Sequence, residues 1–360
     1  MIRFLAPSLS ILPLAAGLQV PAQDVGAARE KHVQRVLSVR FSPDGRLIAG
    51  AVCGKERVRG WYVESGRVQV WDAATGNPVR ALARPAAETL SGTGNWTRAI
   101  AVAPGGKAVA IGRDDRTVQL RDRETDAELA AWQGPAEVDV LAFSPDGKAL
   151  ACAYRGNSER GAELSFLDLA TRKPRWRETI PRSSITAIAF SPDGARVAVA
   201  SLEHTHARGG PSPVAILDAK TGREERTVRG GPEGARALAF SPDATTLAAA
   251  YAVGPVLSWD ARTGVQTRAL PVRSPGRVAA VAFSPDGATL ATASLRDRIQ
   301  VERPGNLRLW DAHTGELRRE LTTDADPASS AAFSPDATSL AIGRDDGTVT
   351  RIRLADEQGR

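Results

Sequence analysis

Lysine is scarce in this chain of 360 residues, occurring only at Lys31, Lys55, Lys107, Lys148, Lys173 and Lys220, although Lys and Arg together number 47. The cationic side chains are therefore almost all arginine, a bias that a GC-rich coding sequence produces by itself. The formal net charge is +6, but Asp and Glu are interspersed throughout, so the field largely cancels at a distance. A nucleic-acid surface needs its charge gathered into one stripe or tail, and no nucleic-acid partner is expected. Cysteine is nearly absent: Cys53 and Cys152 are too few for a disulfide scaffold and lack the paired spacing of a zinc site. Histidine is rare too, and the pair His204 and His206 has only Glu203 beside it, so neither a metal nor another cofactor is expected. Past the first two dozen residues no apolar run approaches the roughly 20 residues needed to cross a bilayer, which excludes a membrane span in the mature chain. What is present, 42% hydrophobic and 24% charged residues, is an ordinary soluble composition that can fill one large core or two smaller ones.

The N-terminus has one arginine, an apolar stretch from Phe4 to Leu18, and then Val20-Pro21-Ala22 ahead of polar Gln23 and Asp24. Small residues at the minus-three and minus-one positions fit signal-peptidase cleavage after Ala22. Residues 1–22 are expected to be a signal peptide and the protein to be exported, periplasmic or secreted. An uncleaved anchor or a tail on a cytoplasmic protein is the competing reading, favoured by Pro7 and Pro13. No cysteine follows, so the segment is not a lipoprotein signal.

One string recurs along the rest of the chain. FSPD begins at Phe41, Phe143, Phe190, Phe240, Phe283 and Phe333, and a weakened copy starts at Val102. A second element follows each: Val70-Trp71-Asp72, Leu120-Arg121-Asp122, Leu167-Asp168, Leu217-Asp218, Trp259-Asp260, Trp310-Asp311 and a degraded Ile352-Arg353. Between them apolar residues alternate with period two, the signature of strands rather than helices. Each unit parses as four strands a, b, c and d. Ser-Pro-Asp-Gly makes the a-to-b turn, with proline fixing its angle and glycine accepting a positive one. One such sheet cannot cover both of its faces, and radial stacking of neighbours does. The expected fold is an all-β, seven-bladed propeller of four-stranded antiparallel blades, occupying residues 23–360 as a single domain.

These motifs resemble the WD-repeat family of β-propellers, in its bacterial FSPDG and WDAxTG style, over residues 33 to 354. The Gly-His dipeptide of many members is missing, so their Asp-His-Ser-Trp network is incomplete here. Tryptophan survives at the c-strand position only at Trp71, Trp259 and Trp310. The last unit supplies three strands before the chain ends, and the resemblance implies that Asp24 to Arg29 provides its outer strand; an incomplete edge is the alternative. Cys53 and Cys152 fall on strands b of blades 1 and 3, too far apart for the roughly 7 Å reach of a disulfide, and both are expected as free thiols.

A carboxylate that recurs once per blade is explained by the blade, whereas a catalytic site needs one unique constellation. The irregular parts are the loops that such propellers gather on one rim, the top: Gly54 to Gly66, Arg155 to Ala162, Glu203 to Pro213, Arg296 to Gly305 and the connection Arg84 to Thr97. Variable loops on a rigid scaffold are the usual seat of recognition. Trp61, Tyr62 and Trp96 fit no repeat position, and Lys55, Arg57, Arg59 and Arg98 surround them, the composition of an interface hot spot. Packing of these aromatics inside their own loops is the competing reading. The expectation is a non-catalytic scaffold, monomeric, that binds protein partners through the top rim and mildly prefers acidic ones near blades 1 and 2. Two alternatives stay open. One is a propeller hydrolase or lactonase at the mouth of the central channel, for which Arg40 is the only candidate: it replaces an alanine found at the matching place in six blades (Ala101, Ala142, Ala189, Ala239, Ala282, Ala332). The other is a structural repeat without a dedicated ligand.

Overall fold

The computed structural model describes residues 33–354 apart from 43, 59–60, 83–96, 158, 204–211, 233, 252–253, 272–277, 295–305, 323–327 and 345. All lie in one compact unit, His32–Arg360. The strands are β1 (Val33–Phe41), β2 (Leu47–Val58), β3 (Trp61–Asp72) and β4 (Pro78–Leu82) in blade 1, and β5 (Thr97–Val102), β6 (Ala108–Arg113), β7 (Thr117–Asp122) and β8 (Glu128–Gln133) in blade 2. Blade 3 holds β9 (Val138–Phe143), β10 (Ala149–Tyr154), β11 (Ala162–Asp168) and β12 (Lys173–Ile180), and blade 4 holds β13 (Ser183–Phe190), β14 (Arg196–Glu203), β15 (Val214–Asp218) and β16 (Glu224–Val228). Blade 5 is β17 (Ala235–Phe240), β18 (Thr246–Tyr251), β19 (Val256–Asp260) and β20 (Gln266–Leu270), and blade 6 is β21 (Val278–Phe283), β22 (Thr289–Ser294), β23 (Asn306–Asp311) and β24 (Leu317–Thr322). Blade 7 shows β25 (Ala328–Phe333), β26 (Ser339–Arg344) and β27 (Val349–Arg353).

Every sheet is an antiparallel meander in chain order, six of four strands and one of three among the described residues. The first strand of each blade packs on the first strand of the next, and β25 returns to β1. That is a seven-bladed propeller with strand a innermost. Asp24 to Arg29, the expected outer strand of blade 7, lie outside the described residues.

The registers account for the motifs. The phenylalanine of FSPD pairs with an apolar residue of strand b, as in Phe41 with Ile48, Phe143 with Leu150 and Phe240 with Leu247. That same residue then pairs with the c-strand motif position, Trp71, Leu167 or Trp259. Trp71, Trp259 and Trp310 are buried, each of which is worth about 1.5–3 kcal/mol or more relative to exposure. In place of the family's network, the Trp310 indole donates to Thr292 Oγ1 at 3.0 Å. Arg121 occupies the tryptophan position in blade 2 and is held by Asp126, Nε to Oδ1 at 2.8 Å.

The a-to-b turns of six blades repeat one bonding pattern, while blade 2, with Ala103 and Gly105 in place of Ser and Asp, makes a short 3-10 turn. In blade 3, Ser144 Oγ donates to Asp146 Oδ1 at 2.6 Å while accepting from the Ala149 amide at 2.9 Å, and the Lys148 amide donates to the same carboxylate at 3.0 Å. The c-to-d turns use their aspartate likewise: Asp72 Oδ1 accepts from the Thr75 amide at 2.8 Å and its hydroxyl at 2.9 Å. These turns are short and uniform, as the sequence indicates.

Close approach between blades selects small residues. A Cβ on Gly343 of strand b would stand 2.6 Å from Val36 of blade 1, and one on Gly112 would stand 2.5 Å from Val138 of blade 3. On the outside, Trp176 of β12 spans the seam to blade 4 and donates from Nε1 to the Ala219 carbonyl at 3.0 Å. Cys152 is buried and unbridged, with burial pushing its thiol far above the ordinary range; Cys53 falls on β2 as expected.

Candidate partner-binding rim

Blade 1 departs from the template through length. β2 and β3 pair through twelve positions, from Leu47 with Asp72 to Val58 with Trp61, whereas strands b and c of the other blades share four to six. At about 3.3 Å per residue the six or so surplus pairs carry a ribbon roughly 20 Å past the ordinary end of a blade. Within the stretch from Gly54 to Gly66, expected as an irregular loop, residues 54–58 and 61–66 are instead paired strand. Its alternating charges do not read as strand in the sequence, yet the ladder is made by the backbone, which pairs whatever the side chains.

This ladder brings four of the expected site residues together. Arg57 is the register partner of Tyr62, Val58 of Trp61, and Lys55 of Glu64. β1 runs alongside as far as the pair Val33 and Lys55. Arg59 and Trp96 lie outside the described residues.

Arg98 is placed differently, on β5 at the seam between blades 2 and 3. Its Nε lies 3.2 Å from Asp139 Oδ1 and its Nη1 3.3 Å from Glu137 Oε2. Arg155 reaches the same two carboxylates, at 2.7 Å from Glu137 Oε2 and 3.3 Å from Asp139 Oδ1. Two cations and two anions thus form a closed, charge-balanced cluster. Neither guanidinium directs an N–H at Glu137 Oε2, which is buried without a hydrogen bond. Burial pushes the Asp139 carboxyl above its usual range, outweighing the pull of Arg98. Such a cluster is worth more as a fixed pattern of charge than as stabilisation, since exposed ion pairs contribute about 0–1 kcal/mol each.

A set of positions not apparent from the sequence joins this rim. Strand a of every blade carries a β-bulge, and the extra residues are Leu37, Arg98, Asp139, Thr186, Arg236, Ala279 and Ser329. Bulges re-aim side chains and recur beside functional sites. Each is the fourth residue before the Phe of FSPD, or before Val102, and that column ranges from apolar to charged of either sign while its neighbours are uncharged throughout. The variation was the available signal.

No group of three or more His, Cys, Asp or Glu able to hold a metal occurs among the described residues, and no helix there is long and apolar enough to cross a membrane. Ring and rim together define a β-propeller built from short repeats. The WD40 family, described as WD domain, G-beta repeat, matches residues 28–72, 177–205 and 270–311, and the chain is a WD-repeat propeller. It is also similar to telomerase protein component 1 of Mus musculus, 32% identical over 171 residues, which is 47% of this chain and 6% of that protein. The chain therefore spans only a small part of that relative. WD40 propellers typically serve as protein-interaction scaffolds rather than catalysts.

Proposed function

We propose that this propeller is a non-catalytic scaffold that captures a protein partner on its top rim, through the β2–β3 ribbon and the adjoining seam of blades 2 and 3. The ribbon carries the reading: it is the one sheet extension among the described blades that goes beyond what the fold requires, and it holds Lys55, Arg57, Trp61 and Tyr62, residue types enriched at interface hot spots. A protruding β-ribbon with mixed charge and aromatic residues suits a partner surface bearing acidic groups around an apolar centre. In this reading residues 1–22 direct export, the scaffold works outside the cytoplasm as a monomer, and no nucleic acid is involved.

Crosslinking of the protein in its native cell supplies the partner. Replacing Trp61 and Trp96 by Ala, and separately exchanging residues 54–65 for a two-residue Asn-Gly turn that keeps the pair Cys53 and Gly66, is expected to abolish partner recovery while the thermal midpoint stays within a few degrees. Retained recovery in both variants overturns the rim as the binding surface, and a collapse of stability in the double Trp variant assigns those side chains to loop packing instead.

A further inference from the structure

The innermost strands hold one cation that the repeat does not call for. Arg40 pairs with Ala49 across β1 and β2. In the six other blades the matching pair is alanine with alanine, such as Ala142 with Ala151 and Ala239 with Ala248. Those alanines are buried or half-buried, whereas the Arg40 side chain is exposed. On a strand whose neighbours are the first strands of the flanking blades, exposure means the space along the propeller axis.

No hydrogen bond or ion pair reaches this guanidinium among the described residues. Protein nevertheless surrounds it closely enough for desolvation to lower its pKa, with no charge among the described residues contributing. It is exposed to solvent and yet closely lined by protein, as a channel wall would leave it. A cation in such a place without a counter-charge is costly, and walls of low dielectric focus its field on whatever enters the channel. The other six blades place only methyl groups at this level, so no long side chain of that row competes for the space beside it. A guanidinium presents parallel N–H donors whose geometry matches a carboxylate or a phosphate.

We propose that Arg40 makes the axial channel a receptor for a single compact oxyanion, either a free phosphate-like ion or a carboxylate presented by a peptide. The site is separate from the rim, so the rim can fail its tests without touching it. Isothermal titration of the full chain with inorganic phosphate, and in a second arm with a short peptide ending in glutamate, reads the two sources apart. The NMR signal of the Arg40 Nε–H locates any binding. In Arg40→Ala, which restores the residue of the other blades and should fold, binding is expected to weaken about tenfold or more, in line with loss of a charge-assisted pair. Arg40→Lys should retain part of it, keeping charge without the fork. Undiminished binding in Arg40→Ala, or no response of the Arg40 signal to either probe at millimolar concentration, overturns the proposal.

Discussion

At Ala244 and Ala337 the backbone has φ of 58° and 59°, where the corresponding turns of blades 1, 3, 4 and 6 place Gly45, Gly147, Gly194 and Gly287. A Cβ in the left-handed region costs about 1–2 kcal/mol, partly offset by the greater freedom glycine has in the unfolded chain. Ala244→Gly and Ala337→Gly are each expected to stabilise by about 0.5–1 kcal/mol, additively because the sites lie in different blades, as equilibrium urea unfolding would record. Gly222 is the opposite case: φ is +75° and a Cβ would lie 2.6 Å from Trp176 Cδ2. Gly222→Ala should therefore destabilise by about 1–3 kcal/mol. The turn aspartates set the response to acid. Ser144 and the Lys148 amide lower Asp146, Thr171 and Arg175 draw Asp168 down to about 2, and Ser334 and Thr338 do the same for Asp336. Their folded values lie below the unfolded value of about 3.9, so their contribution is complete above that pH and drains away as pH falls toward 2. The thermal midpoint should be flat from about pH 5 to 7 and drop steeply below about pH 4.

Among elements, the inner strand b and the outer strand d face opposite demands. Strand b carries Ala and Gly where the next blade leans in, and Gly343→Val, pressing on Val36, is expected to cost about 1–3 kcal/mol in urea unfolding. Strand d is an edge, and β12 covers its outer side with Arg175, Arg177 and Glu178, all exposed, which discourages pairing with a second chain. Strands a and c were legible in the sequence because FSPD and the Trp-Asp element recur in step, and the a-to-b turns because Pro, Asp and Gly each have a fixed conformational use. The β2–β3 ribbon was not, since Lys55-Glu56-Arg57 lacks apolar alternation and Gly54 and Gly66 imitate loop boundaries. The bulges escaped for another reason: an extra residue in one strand is defined only against its partner, and a linear pattern has no partner. Of the candidate site, the company of Lys55, Arg57, Trp61 and Tyr62 could be anticipated, whereas the engagement of Arg98 with Glu137, Asp139 and Arg155 depends on blades 2 and 3 being side by side.

For the whole molecule, the join between last and first blades combines an apolar seam, Val36 and Val39 against Ala341 and Val349, with a few polar contacts. Ser329 Oγ and Ser330 Oγ both donate to the Val36 carbonyl, at 2.7 and 3.0 Å across a sequence separation of 293 and 294 residues. Arg351 Nη1 reaches the Ala73 carbonyl at 3.4 Å, the counterpart of the Ala219 carbonyl that Trp176 holds in blade 4. Removing both hydroxyls, Ser329→Ala with Ser330→Ala, leaves a buried carbonyl without these donors and should cost about 1–3 kcal/mol, seen as faster cleavage by a protease in native buffer. A further consequence concerns synthesis. A chain cut short before Ser329 lacks these groups and leaves that flank of blade 1 uncovered. Because β25 to β27 supply the groups that meet Val36 and Ala73, blade 1 is covered on that flank only once blade 7 has been made.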